Sequence, residues 1–308
     1  MPTPSDLYIG LMSGTSLDGI DAALVEFIHD YPRLISTHYQ PYPDPLRTRI
    51  AQLCQPELGD IEQLGVMDIE LGRQFATAVQ ELITRAGITP DAVRAIGSHG
   101  QTVRHHPQGT HPFTIQIGDP NLLAELSGIT TVADFRRRDL AAGGEGAPLV
   151  PAFHQAVFRT DHPRVVVNIG GIANLTWLPY PLPEPVAGFD TGPGNTLMDS
   201  WVRRHLSLPH DAEGGWASQG KIHAGLLERL LADQYFSRSP PKSTGRETFN
   251  LAWLDAALGA FHARPIAAVD VQATLGELTA VSIARAVLTF CPAVREVLVC
   301  GGGGTIGI

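Results

Sequence analysis

The chain has 308 residues, 44% of them hydrophobic, a length and composition that support two domains and a sizeable core in an ordinary globular protein. Its 22 Lys and Arg stand against 31 Asp and Glu, and the net charge of −9 argues against non-specific nucleic-acid binding. Three cysteines, Cys54, Cys291 and Cys300, fit neither a zinc spacing nor a disulfide framework and read as buried thiols in a reducing compartment.

The first residues, MPTPSDLY, lack a basic region followed by an apolar run, and no apolar run reaches bilayer length. A cytoplasmic protein with no membrane partner is expected. Residues 8–27, YIGLMSGTSLDGIDAALVEF, read as strand, tight loop, strand. The loop gathers small and hydroxyl residues, and such a loop presents several N–H groups at one point, as a phosphate requires. Asp18 is placed to hold a metal-bound water. A plain hairpin whose Gly and Ser only make the turn is the alternative. Neither a P-loop nor a nucleophile elbow is present.

A third strand over 33–40 ends in the Pro-rich YQPYPDPLR. Apolar residues from Ile61 to Leu82 recur at helical spacing, with Asp60 as N-cap and Gly87 at the far end. A strand over 93–97 runs into SHGQTVRHH, where His99 and Gln101 are candidates for contacting a polar ligand. The histidines there match no tight metal-ligand spacing. A strand over 113–117, a helical turn over 120–126 and a buried strand over 130–134 follow, an alternation that argues for an α/β architecture. Arg136, Arg137 and Arg138 then abut a Gly-rich turn, either a solvated face or an anion site. A domain boundary is expected near 140, giving domains 1–139 and 140–308.

The second half repeats the theme. A strand over 164–169, the turn Gly170-Gly171 and a returning strand over 173–178 carry the polar Asn168, Asn174 and Thr176. A strand over 186–189 leads into Asp190, followed by a glycine turn and a helix starting near Pro193. A carboxylate at a strand end is a candidate catalytic or metal-linked group, with a helix cap as the alternative. The loop 240–247 carries two cations and either meets substrate or is solvated. A helix over 272–290 and a buried strand over 297–300 end in glycines where backbone can approach an adenine or ribose.

Taken together, GLMSGTSLDGID, GSHGQTVRH, IQIGDP, ADFRRRDLAAGGEGAPLVPAFH, NIGGIANLT, GFDTGPGN, PKSTGRETFN and VLVCGGGG resemble the anhydro-N-acetylmuramic acid kinases of the actin/hexokinase/Hsp70-like ATPase superfamily. The resemblance implies a two-domain actin-like, ribonuclease H-like α/β fold, with duplicated mixed sheets flanked by helices and a cleft between domains. It implies ATP and Mg²⁺ as cofactors and 1,6-anhydro-N-acetylmuramic acid as substrate, phosphorylated on O6 while water opens the anhydro ring. Ser13, Gly14, Thr15, Ser16, Leu17, Asp18, Gly19 and Ile20 would form the first phosphate loop, with Asp18 holding Mg²⁺ through water. Asn168, Gly170, Gly171 and Asn174 would form the second, and Gly301, Gly302 and Gly303 would begin the adenosine segment. Asp190 would be the general base, and His99, Gln101, Arg136, Gly192, Asn195 and Lys242 would meet substrate. A homodimer is implied by the resemblance alone.

After the glycines the family continues for several dozen residues, including a helix with a second carboxylate, whereas this sequence ends at Ile308. The reading therefore expects a truncated C-terminus and an incomplete second domain. It keeps two alternatives: an inactive nucleotide- or sugar-binding remnant, and a related kinase of another substrate.

Overall fold

The computed structural model describes residues 6–29, 31–55, 60–181, 186–261 and 263–305. Residues 1–5 and 306–308, on which the leader and chain-end readings bear, lie outside them. The chain divides into two compact units, 1–146 and 147–308. The division falls beyond the expected residue 140 because the following glycines are tied back. Asp139 Oδ2 accepts the Gly146 N–H at 2.7 Å, and Arg136 Nη1 donates to the Gly146 carbonyl at 2.6 Å.

In the first unit β1 (Leu7–Ser13), β2 (Gly19–Ile28) and β3 (Tyr31–Pro41) form an antiparallel meander. Alternate side chains Ile9, Leu11, Ile20, Ala22 and Leu24 enter the core. The Pro-rich stretch after β3 starts a helix that the sequence reading missed, α1 (Asp44–Leu53). Pro45 lies in its first turn, where a missing N–H costs nothing, and Leu46, Ile50 and Leu53 are buried. Helix α2 (Ile61–Ala86) begins and ends as its caps dictate. Asp60 accepts the N–H groups of Glu62 and Gln63, and Gly87 closes the helix at φ 67°. Its face of Met67, Leu71, Phe75, Val79 and Leu82 covers the sheet.

Strand β4 (Val93–His106) runs parallel to β1 and continues well past the expected end at 97, because its second half pairs with β5 (Phe113–Ile117). After α3 (Pro120–Ser127), β6 (Thr131–Ala133) pairs with the first half of β4. Expected as buried, β6 instead lies at the sheet's edge, with Val132 49% exposed. The charged stretch that follows is a helix, α4 (Phe135–Ala141). Arg137 pairs with Asp134 at the surface, while Arg136 turns inward.

Arg136 seats α4 on β4. Its Nε donates to His99 Nε2 at 2.7 Å, and His99 Nδ1 lies 2.8 Å from the Gly100 carbonyl. This pairing requires a neutral imidazole with its proton on Nδ1. Burial first, and then the Arg136 charge, lower the His99 pKa to about 4; burial does the same for His105, with Arg136 and His106 adding to it.

The second unit opens with α5 (Pro151–Phe158), followed by the meander β7 (Arg164–Ile169), β8 (Ile172–Leu178) and β9 (Ala187–Pro193). Strand β9 runs through Pro193, so the next helix, α6 (Thr196–Leu206), starts three residues later than expected. Helices α7 (Ala224–Leu231), α8 (Gln234–Ser237) and α9 (Leu251–Leu258) fill a region the sequence reading left without elements. Helix α10 (Ala268–Phe290) leads to β10 (Glu296–Cys300), parallel to β7. The order β10-β7-β8-β9 matches β4-β1-β2-β3: a meander, a long helix, then a strand parallel to the first.

Three expectations need correction here. Helix α10 is long and apolar enough, by length and composition alone, to cross a membrane. It nevertheless buries Gln272, Thr274, Thr279 and Ser282 along with Val271, Leu275 and Leu278 in its unit's core. Strand β10 is not buried: Val297 and Val299 are 44% and 56% exposed. Of the three thiols only Cys291 is buried, and Cys300 is exposed.

Two outcomes are expected. Phe75 is fully buried and lies against Gly118, where a Cβ would come 2.6 Å from its ring. Phe75→Ala should lower stability by about 3–5 kcal/mol in chemical denaturation. His99 and His105 bind protons more weakly folded than unfolded. Their stabilisation is therefore whole above about pH 6.5 and is lost as pH falls toward about 4. The urea midpoint should drop across that window, and His99→Gln, which still accepts from Arg136, should flatten the slope by up to ~1.4 kcal/mol per pH unit. An unchanged slope in the variant would refute the assignment.

Candidate active site

In the first unit the loop between β1 and β2 is braced from below. Ser13, 1% exposed, lies 2.6 Å from Gln101 Oε1 and 2.9 Å from the Gly19 carbonyl, and it accepts the Tyr42 hydroxyl at 2.8 Å. Gln101 Nε2 in turn donates to the carbonyls of Gly14 and Thr102. Ser13 and Gln101 are thus spent inside the protein, not facing a ligand as expected. Ile20 is a fully buried core side chain, and Leu17 is buried at φ 59°. At Gly19 a Cβ would come 2.4 Å from the Gln40 carbonyl, so only glycine lets β3 close here. What the loop presents outward is Thr15, Ser16 and Asp18. Ser16 Oγ donates to Asp18 Oδ1 at 2.5 Å. Tyr42, which the sequence reading did not single out, is held at about 12 by burial, a phenol that stays protonated to brace Ser13.

His99 lines a cavity of about 520 Å³ in this unit together with Gly10, Met12, Asp21, Tyr39 and Gly97. Burial, and then Asp18, push the Asp21 carboxyl above the usual carboxylate range. Arg136 reaches His99, so these two expected substrate residues stand together.

In the second unit one row of residues crosses the whole sheet. Cys300 pairs with Asn168, Asn168 with Asn174, and Asn174 with Asp190. Directly opposed residues share a face and lie about 5 Å apart at Cβ. Three of the expected site residues therefore stand side by side on one face of the sheet. At the end of the row Asn168 Oδ1 sits where a Cβ on Gly301 would come within 2.5 Å, at φ 89°. A Cβ on Gly303 would meet Ile169 Cγ2 at 2.4 Å and Asn195 Oδ1 at 2.7 Å. The turn Gly170-Gly171 accepts the N–H groups of Asn195, Gly194 and Thr196 at 2.8, 3.0 and 3.1 Å. Gly301, Gly302, Gly303, Gly170, Gly171, Asn168 and Asn195 thus converge on one glycine-lined place. Gly192 does not join them: it is buried, and a Cβ there would come 2.7 Å from the Phe236 ring.

Asp190 is 4% exposed and lies within β9, not at its end. Its brace is the segment 235–244 and not the start of α6. Its N–H donates to the Lys242 carbonyl at 3.0 Å, its carbonyl accepts the Tyr235 hydroxyl at 2.7 Å, and its Oδ2 accepts the Thr244 N–H at 3.0 Å. Lys242, Ser243 and Thr244 are buried, while Arg246 and Glu247 are exposed, so of the loop's two cations one lies inside the unit and the other at its surface. Asn174 Oδ1 and Thr244 Oγ1, next to Asp190, and Asn195 Oδ1, beside Gly302 and Gly303, are buried without a partner among the described residues. Such atoms suit a water or a ligand. Tyr235 and Thr244 were missed by the sequence reading; nothing around Tyr235 marks it, whereas Thr244 lay in the quoted PKSTGRETFN.

The family model for anhydro-N-acetylmuramic acid kinase matches residues 6–307. A protein of that name from Coxiella burnetii (strain Dugway 5J108-111) is 50% identical over 301 residues, 97% of this chain and 80% of the relative. One from Xanthomonas campestris pv. campestris (strain 8004) is 53% identical over 306 residues, 98% of this chain and 80% of the relative. Among solved structures, a ROK hexokinase from Thermus thermophilus aligns over 97% of this chain and 82% of its own. At 15% identity and a TM-score of 0.36, that likeness carries no weight. The chain spans about four fifths of the length of these relatives, and the matches do not favour an inactive remnant. The chain belongs to the anhydro-N-acetylmuramic acid kinase family.

Proposed function

We propose that the chain phosphorylates O6 of 1,6-anhydro-N-acetylmuramic acid while water opens the anhydro bridge, giving N-acetylmuramic acid 6-phosphate and ADP. The observation that carries this reading is the buried Asp190, whose backbone is held by two hydrogen bonds and whose carboxylate is held by a third, from the Thr244 N–H, in a row with Asn174 and Asn168. Asp190 takes a proton from the water that attacks the anomeric carbon. The bond from that carbon to O6 breaks, and O6 accepts the phosphoryl group. A base of this kind needs to be ionised, fixed and within hydrogen-bond reach of the water.

The residues fit a nucleoside triphosphate. In the first unit Thr15, Ser16 and Asp18 present an exposed polar loop; in the second, taken by itself, Gly194 and Gly303 pass so close to the Gly170 carbonyl and Ile169 that any side chain would collide. Bound Mg²⁺ would offset phosphate charge. Among the described residues no group of three or more His, Cys, Asp or Glu gathers for a metal. Asp18 would orient a metal-bound water. His99 with Arg136 offers the sugar acid a neutral ring beside a cation.

Asp190→Asn keeps an acceptor for the Thr244 N–H and removes the base. Turnover should fall by on the order of 10²–10⁴ while ATP binding, followed by calorimetry, is retained. Near-normal turnover in that variant would remove Asp190 from the base role. Product analysis with the anhydro sugar and with simple hexoses checks the substrate, and phosphorylation of hexoses alone would overturn it.

A further inference from the structure

Thr244 carries a hydroxyl that neither the fold nor the reaction as described uses. The residue is 8% exposed, and its Oγ1 is buried without a hydrogen-bond partner among the described residues. An unmade hydrogen bond inside a protein is a cost, and a valine would fill the same shape without it. The position is nevertheless fixed from both sides. The Lys242 carbonyl accepts the Asp190 N–H at 3.0 Å, and the Gly245 carbonyl accepts the N–H groups of Thr248 and Phe249 at 3.1 and 3.0 Å. Between these anchors the Thr244 N–H donates to Asp190 Oδ2 at 3.0 Å. The hydroxyl belongs to the same residue as that N–H, so it is held near the carboxylate with hydrogen-bonding capacity to spare.

We propose that the Thr244 hydroxyl holds the water that attacks the anomeric carbon, accepting the hydrogen that this water does not give to Asp190. The inference rests on Asp190 being the base. One hydrogen of the water passes to the Asp190 carboxylate as the new carbon–oxygen bond forms and the bond from that carbon to O6 breaks. The other stays and becomes that of the anomeric hydroxyl in the product. A carboxylate alone leaves the water free to turn about one hydrogen bond; a second acceptor fixes where its lone pair points. Neighbouring polar groups are engaged elsewhere. The Tyr235 hydroxyl is spent on the Asp190 carbonyl, and the Lys242 ammonium donates to the Tyr235 carbonyl and cannot accept. Asn174 Oδ1 is a second open acceptor, but it stands in the row that leads through Asn168 toward the glycine-lined place. Thr244 is tied to the carboxylate itself.

The test is steady-state kinetics and thermal melting of Thr244→Val, Thr244→Ala and Thr244→Ser beside the wild type and Asp190→Asn. Val keeps the shape and the N–H to Asp190 and loses only the hydroxyl. Its kcat should fall by about 10–100-fold with the KM for ATP and for the anhydro sugar unchanged, because the lost contact is to the water alone. Its melting temperature should hold or rise, since no hydrogen bond of the folded protein is lost. The acid limb of kcat/KM against pH should stay in place, since the Asp190 brace is intact. Ala should show the same loss of kcat, and Ser should restore most of it. A folded Val or Ala variant with wild-type kcat, a loss confined to KM, or a Ser variant as slow as Val would overturn the proposal. With Asp190→Asn inactive, such a result removes only the water-holding role of Thr244; an active Asp190→Asn removes the base reading and this inference with it.

Discussion

The second unit depends on one extra residue in β9. Phe189 and Asp190 oppose Leu175 and Asn174, yet Gly192 opposes Ala173, so Thr191 is a bulge between them. Without it Thr191 would take the place opposite Ala173, against Phe236 and Ser282, where even a Cβ on Gly192 would clash. The bulge lets the chain satisfy two demands at once. Asp190 faces the polar row, and a glycine faces the packed side where α10 lies. Thr191 itself donates to the Ala173 carbonyl, which closes the irregularity.

The same strand then delivers the chain to the Gly170-Gly171 turn. A Cβ on Gly194 would fall 2.2 Å from the Gly170 carbonyl, so the approach is available only to glycine. Thr279 on α10 sits 3.0 and 3.2 Å from the Pro193 and Gly194 carbonyls and holds the bend from the other side. The first unit secures its own loop differently, with the side chains of Ser13, Gln101 and Tyr42. Backbone contact in one unit and buried side-chain bonds in the other achieve one end: a turn held from within, with its outward groups free.

Much of this was legible in the sequence. Both hairpins, the caps of α2 and the candidate Asp190 were written in glycine placement, periodicity and a lone acid after an apolar run. What was not legible depends on partners remote in the chain. The long β4 looked finished at residue 97 because glycine and histidine follow; pairing with β5 and β6 extends it. Helix α1 was hidden by prolines that tolerate a first turn. Ser13 and Gln101 read as ligand contacts because the sequence cannot show that they satisfy each other. The buried loop 242–244 read as polar because its residues are polar; only Tyr235, Asp190 and the core behind them make it interior.

Buried polar atoms of a folded chain are nearly always paired, and leaving one unmade costs on the order of 1–3 kcal/mol. The unpaired atoms Asn174 Oδ1 and Thr244 Oγ1 flank Asp190, and Asn195 Oδ1 stands at the glycine-lined place. A sequence selected for stability alone would fill such positions with apolar residues, as it does in the Val165, Val167 and Leu175 layer on the opposite face. Keeping acceptors there gains nothing for the fold. It does hold hydrogen-bonding groups in place before a substrate or water arrives, so that their orientation need not be arranged during the reaction.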